Sequence, residues 1–261
     1  MLYKRRIVFF ADILGFKSTI SSSYNIAEVE EVTSRIASAL KRIPEFSNDT
    51  ASCQSENIDF QFTQFSDCFI ISFACEETSQ LFYTLLRILW VQMNLISLGF
   101  LLRGAVTVGP AVHTKDYVFG PAIVEAAMLE KDKAIFPRII LEDEAIKVGA
   151  LNGAHAYEDE VSYIKKILAI DPRDSRYYID YFAAAITEMD SEYDYPVYLV
   201  NIKKIIQKGL QNHDAKYIEK YIWMKEKYNE VANRIQLNMH NYEQISQDSL
   251  LVSCYKNVTA I

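Results

Sequence analysis

At 261 residues the chain is longer than one small domain and shorter than two full ones, and a 50% hydrophobic, 23% charged composition supports a sizeable core. That balance excludes a disordered chain, a collagen-like repeat and a coiled-coil rod. A formal net charge of −7 excludes non-specific nucleic-acid binding as the main role, because that affinity comes from Lys and Arg neutralising phosphates.

The first element is Ile7 to Ala11, a β-branched and aromatic run that ends at Asp12 with Gly15 just after, and it reads as a buried strand entering a tight turn. Ile26, Val29, Ile36 and Leu40 share one helical face between Asn25, a plausible N-cap, and Pro44. The polar stretch Ser47 to Asn57 reads as a loop. Ile58, Phe60 and Phe62 alternate with polar residues, Cys68 to Phe73 is a second extended run, and Ser66-Asp67 joins them as a hairpin. Apolar spacing predicts a long helix from Thr78 to Leu98, and Phe100 to Val108 reads as a fourth strand closed by Gly109-Pro110. The longest apolar segment, Leu81 to Phe100, carries Arg87, Gln92 and Asn94, so it reads as a buried amphipathic helix and not a membrane span. A short hairpin to Phe119, a helix opening at Gly120-Pro121, a strand from Ala134 to Leu141 and another from Tyr177 to Tyr181 follow. Glu158 to Glu160 reads as a solvated acidic loop, and Pro196 to about Gln236 reads as helical, with Tyr221, Trp223 and Tyr228 in a core or dimer interface.

The order β-α-β-β-α-β is the split βαβ arrangement of ferredoxin-like folds, an α+β class, here with a C-terminal strand and helical extension. Residues 1–145 are expected to form the core and 146–261 an α/β extension that packs on the core or at a dimer interface. In this topology the first and third strands are central, adjacent and antiparallel. Asp12 and Asp67 therefore meet at one sheet edge. Each aspartate alone reads equally as a turn residue. Two carboxylates converging at the end of a buried strand invite a hard cation, Mg²⁺ or Mn²⁺, and a pair of ions there would bridge a triphosphate and activate an attacking hydroxyl. Ile13, Leu14, Gly15 and Phe16 offer backbone N–H groups beside them, with Gly15 allowing a phosphate to approach closely.

Four cysteines, Cys53, Cys68, Cys75 and Cys254, form neither a CxxC pair nor a Cys/His cluster, so structural zinc and a disulfide scaffold are not expected, and reduced thiols in a cytoplasm are. His113, His155, His213 and His240 are scattered without a nucleophilic partner and read as surface or packing residues.

Phe10-Ala11-Asp12-Ile13-Leu14-Gly15-Phe16 resembles the first metal motif of the class III nucleotidyl cyclase catalytic domain, and Phe65-Ser66-Asp67 stands where that family's second metal aspartate follows a short strand. Arg103 through Pro110, and Phe119-Gly120-Pro121 followed by Ala126-Ala127-Met128-Leu129-Glu130, are similar to its next strand and helix. Where the family has its catalytic Asn and Arg, this chain has Val124 and Met128, and Thr63 and Tyr117 replace the purine-reading pair of adenylyl cyclases. Arg103-Gly104-Ala105, Val118-Phe119-Gly120-Pro121-Ala122, Phe136-Pro137-Arg138-Ile139 and Tyr178-Ile179-Asp180-Tyr181 resemble the bacterial Pycsar branch, the pyrimidine cyclases of anti-phage defence.

The resemblance implies a homodimer with shared active sites. It implies two Mg²⁺ or Mn²⁺ ions per site, held by Asp12, Asp67 and the Ile13 carbonyl, and conversion of UTP to cyclic UMP and pyrophosphate. Alternatives are a cytidylate cyclase acting on CTP and a catalytically inactive nucleotide sensor. Arg103 and Arg138 are the expected catalytic cations in place of Met128. Leu14, Gly15 and Phe16 would hold the triphosphate, and Phe60, Thr63 and Tyr117 the base. The product would act on a separate cyclic-nucleotide-sensing effector, and neither nucleic acid nor a membrane is an expected partner.

Overall fold

The computed structural model describes residues 2–15, 30–31, 33–34, 37–38, 41, 59–245 and 248–261. They fall into two compact units, Met1–Ile179 and Asp180–Ile261. The apolar face Ile26, Val29, Ile36 and Leu40 of the expected first helix, and the loop Ser47 to Asn57, lie outside the described residues.

The first unit is built on one sheet. Its strands are β1 (Lys4–Leu14), β2 (Phe60–Phe65), β3 (Cys68–Ala74), β4 (Leu101–His113), β5 (Val118–Phe119), β6 (Ile139–Leu141), β7 (Leu168–Ile170) and β8 (Tyr177–Ile179). The order across the sheet is β2-β3-β1-β4-β6-β8-β7, with β5 pairing β4 alone. β1 is antiparallel to both β3 and β4, as the split βαβ reading requires. The architecture is mixed α+β.

Side-chain alternation divides the sheet into two faces. Ile7, Phe9, Ala11 and Ile13 of β1 share one face with Phe69, Ile71 and Phe73 of β3, and all are buried. Helix α1 (Gln80–Ser97) lies against β3 and β4, with the Arg87 guanidinium 5.1 Å from the Phe73 ring centre. Val8, Phe10 and Asp12 point to the opposite face. There helix α2 (Pro121–Asp132) packs Ala122, Ile123 and Ala126 onto Val8 and Ala111. Helices α3 (Asp143–Ala150) and α4 (Tyr157–Lys166) complete the unit.

Several elements differ from the sequence reading, each for a physical reason. β4 runs through Gly109-Pro110 to His113, because β6 pairs with it only over Gly104–Val106 and the strand flank at Pro110 has no ladder to donate to. The strand expected from Ala134 shrinks to Ile139–Leu141, since the Arg138 N–H turns back onto the Phe136 carbonyl at 2.7 Å around Pro137. The strand expected over Tyr177 to Tyr181 ends at Ile179. Glu158 to Glu160 is no loop but the first turn of α4, where acidic side chains favour the helix dipole, and Glu160 is buried.

The second unit is helical, with α5 (Asp194–Gly209), α6 (Ala215–Ile245) and α7 (Ser249–Lys256). The stretch read as helical from Pro196 to about Gln236 is helical in two pieces, parted after Gly209, where a Cβ would lie 2.2 Å from the Tyr221 ring. Trp223 and Tyr228 are fully buried and Tyr221 nearly so, with Phe182 edge-on to Trp223. Tyr195 and Tyr198 donate their hydroxyls to the Phe182 and Tyr181 carbonyls, at 2.8 and 3.0 Å. Asp248 caps α7 by accepting from the Leu250 and Leu251 N–H groups.

Candidate active site

Register brings the two aspartates together. Asp12 pairs with Cys68 across β1–β3 and with Arg103 across β1–β4, so these three side chains emerge from one face side by side. Asp67 sits one residue before Cys68 in the two-residue turn, and its carbonyl accepts the Ile13 N–H at 3.0 Å, tying the turn to the β1 end. Ser66, the other turn residue, holds φ at 57°, the left-handed region that disfavours a side chain. Ligand atoms of Asp12, Asp67 and Cys68 lie within 4.8 Å of one another, and all three residues are half-buried.

Arg103 closes the cluster. Its Nη2 and Nε each lie 3.2 Å from Asp12 Oδ2, and Nε also lies 2.7 Å from Glu130 Oε1 on α2. Gly104 follows because a Cβ there would stand 2.5 Å from the Phe10 carbonyl oxygen, and its N–H donates to the Arg138 carbonyl at 3.1 Å.

Burial raises the Asp12 pKa above the usual carboxylate value; Arg103 opposes that shift and the neighbouring Asp67 carboxyl adds to it. Glu130 is raised by burial too, against Arg103. Burial, reinforced by Asp12, Asp67 and Glu130, pushes the Cys68 thiol up to about 11. Asp12 and Glu130 thus share one guanidinium in a partly dry site, with Asp67 beside Asp12. The oxygen donors of Asp12 and Asp67 fit a divalent cation, whose charge would compensate their repulsion. Cys68 and Glu130 were not legible as members of this cluster. The only signals for them are the residue following Asp67 and the α2 spacing that turns Glu130 inward.

The other expected site residues divide. Leu14 and Gly15 lie at the β1 end, Gly15 with φ of 78°, a left-handed conformation that suits glycine in this turn. Phe16 lies outside the described residues. Thr63 is on the Asp12 face and Tyr117 is exposed on the β4–β5 turn. Phe60 and Phe62 are on the opposite face. The pleat turns them towards the rings of Phe73 and Phe69, at 5.4 and 6.4 Å, so they are packing residues and not base contacts.

Arg138 is also misplaced by the sequence reading. Its guanidinium is buried between Asp171 and Asp174, at 2.5 and 2.6 Å, and ties the β6 start to the β7–β8 turn. That is a structural ion pair and not a cation open to substrate. Val124 and Met128, which replace the family's catalytic pair, are exposed on α2.

His113, read as a surface or packing residue, is 4% exposed and fully hydrogen-bonded: Nε2 lies 2.9 Å from Thr63 Oγ1 and Nδ1 2.8 Å from Ser72 Oγ. Ser72 accepts in turn from Arg6 Nε at 2.7 Å, and Arg6 pairs with Asp59 at 2.9 Å. Burial drives His113 down to about 4, with the Arg6 charge adding to the effect.

Among the described residues no helix is long and apolar enough to cross a membrane. No family model and no curated protein matches the chain. Solved structures similar to it include the adenylyl cyclase CyaB from P. aeruginosa, with a TM-score of 0.46 and 14% identity over 68% of this chain and 94% of that one. The catalytic core of a rhodopsin-guanylyl cyclase with converted specificity, in complex with ATPalphaS, has a TM-score of 0.42 and 13% identity over 69% and 96% of the two chains. A bacterial light-regulated adenylyl cyclase gives 0.41 and 16% over 69% and 92%.

Proposed function

We propose that the chain is a nucleotidyl cyclase that converts UTP to 3′,5′-cyclic UMP and pyrophosphate, a messenger synthase of the anti-phage kind its motifs resemble. The observation that carries this reading is the convergence of Asp12 and Asp67 on one sheet edge, with Arg103 against them. Asp12, Asp67 and the Ile13 carbonyl would hold Mg²⁺ or Mn²⁺. Such ions supply Lewis-acid activation of a ribose hydroxyl and neutralise phosphate charge.

The chain's own groups do the rest. Leu14 and Gly15, at the β1 end next to the Asp pair, would meet the β and γ phosphates through their backbone. Arg103, poised between Asp12 and Glu130, stabilises charge that builds on the α phosphate as the O3′–P bond forms and the bond to pyrophosphate breaks. Glu130 keeps Arg103 at the site when Asp12 turns to the cation. Thr63 and Tyr117 face the base from β2 and the β4–β5 turn. From Asp12 to Thr63 is two strand spacings across and two residues along, about 12 Å between Cα atoms. A nucleotide bridging from base to α phosphate fits that span. The site would be completed by a second copy of the chain.

The test is incubation of purified protein with ATP, GTP, CTP and UTP in turn with Mn²⁺ and mass detection of products, with Asp67→Asn as control. Cyclic UMP that vanishes in the variant supports the proposal. Cyclic CMP alone replaces uridylate with cytidylate. No cyclic product, with Mn²⁺ still bound, points to an inactive nucleotide sensor, a reading favoured by Val124 and Met128.

A further inference from the structure

The chain Asp59–Arg6–Ser72–His113–Thr63 runs along the sheet face that carries Asp12 and ends at the hydroxyl assigned to the base. Donor bookkeeping fixes the direction of every hydrogen bond in it. The Arg6 guanidinium only donates, so the Ser72 hydroxyl oxygen accepts from Nε and its own proton must go elsewhere. Ser72 is fully buried, and among the described residues the acceptor within reach of its proton is His113 Nδ1 at 2.8 Å. Reversing this bond would give Ser72 two donors and leave its proton stranded in the interior, a cost the buried position does not allow. His113 is therefore the neutral Nε2–H tautomer, which agrees with the burial that holds it uncharged. Nε2–H then donates to Thr63 Oγ1 at 2.9 Å. Thr63 keeps its own proton, and among the described residues that hydroxyl has no second hydrogen-bond partner.

We infer that this relay makes His113 and Ser72 positioning residues that commit Thr63 to offer a proton to the substrate, selecting a base with a carbonyl acceptor at that edge, uracil, over one with an amino group there, cytosine. This rests on the cyclase reading above. It adds to that reading a physical cause of base choice within this chain. The same bond ties β2 to the β4–β5 arm, so the relay also sets where Tyr117 stands. Without His113, Thr63 is a free rotor able to accept from an amino group as readily as to donate to a carbonyl.

The experiment has two arms. In the first, kcat/KM is measured for UTP and CTP with the wild type, Thr63→Val, Thr63→Ser and His113→Gln. The relay predicts that the UTP-to-CTP ratio falls about tenfold or more in Thr63→Val and His113→Gln and stays within about threefold in Thr63→Ser. Equal loss for both nucleotides, with the ratio unchanged, assigns the network to structure alone and overturns the inference; so does a wild type that prefers CTP. In the second arm, ¹⁵N-NMR of the wild-type imidazoles at pH 7 reads the His113 tautomer directly. Nε2–H supports the relay and Nδ1–H overturns it. If the wild type makes no cyclic product at all, the cyclase reading fails; the tautomer, and the UTP-to-CTP ratio read as binding affinity by calorimetry, still decide the relay.

Discussion

Arg103 faces Asp12 directly across the β1–β4 ladder, and its guanidinium bridges that carboxylate to Glu130. Both acids are largely buried, so the arginine compensates charges that would otherwise be stranded. Replacing it as Arg103→Met is expected to destabilise the protein by about 1–3 kcal/mol at pH 7, less than a fully buried pair would cost because Arg103 is 26% exposed. The loss should shrink towards pH 5 as Asp12 and Glu130 take up protons. Urea unfolding at both pH values measures it, and an equal loss at the two would remove the electrostatic account. Cyclic product should fall by about a hundredfold or more in the same variant.

Asp67 presses a second negative charge on Asp12, which raises the folded-state pKa of Asp12 together with burial. An acid whose folded pKa is raised binds extra protons when folded, so stability is lost as pH rises through the raised value. Asp67→Asn removes that repulsion. The metal-free variant should melt higher than the metal-free wild type at pH 7. It should also lose the stabilisation that Mn²⁺ gives the wild type. Thermal melts in chelator and in Mn²⁺ check both, and a variant still stabilised by Mn²⁺ would take Asp67 out of the metal site.

What was legible in the sequence follows from what is local. Period-two runs and the Ser66-Asp67 turn located β1 to β3, and the split βαβ order alone placed Asp12 beside Asp67, because topology and register suffice for neighbouring strand ends. Glu130 and Cys68 were not legible, since joining them to Asp12 requires the α2 rotation and the exact pairing register. Arg138 looked available for the same reason: its partners Asp171 and Asp174 are more than thirty positions away, and nothing local marks them as its counter-ions. His113 depends on a β4 that continues past Gly109-Pro110, two residues that locally announce a turn.

Arg138 carries two carboxylates, Asp171 with no exposed surface and Asp174 a quarter exposed. Truncation as Arg138→Met would take the buried guanidinium away from Asp171 and Asp174, and breaking such a pair costs about 3–5 kcal/mol. The unfolding midpoint should fall accordingly, while Mn²⁺ affinity of the folded protein stays as in the wild type. A variant that folds normally but loses Mn²⁺ binding or turnover would restore Arg138 to the site.

His113 provides a second pH dependence of opposite sense. Burial and the Arg6 charge lower its pKa from 6.5 to about 4, with the Asp59 carboxylate opposing them. A base whose folded pKa is depressed binds fewer protons when folded, so its contribution is whole above 6.5 and is lost as pH falls towards 4. Those two values allow a loss of as much as about 3 kcal/mol from this residue between neutral pH and pH 4. Because Asp12 and Glu130 shift stability the other way over part of that range, the measurement is a difference. Urea unfolding of the wild type and His113→Gln at pH 7.5, 5.5 and 4.5 should show the wild type's advantage shrinking at each step. An advantage that instead grows on acidification would mean that His113 is already charged in the folded protein at pH 7.5. In that state Ser72 could no longer donate to Nδ1, and the proton order from Arg6 to Thr63 would be reversed at its centre.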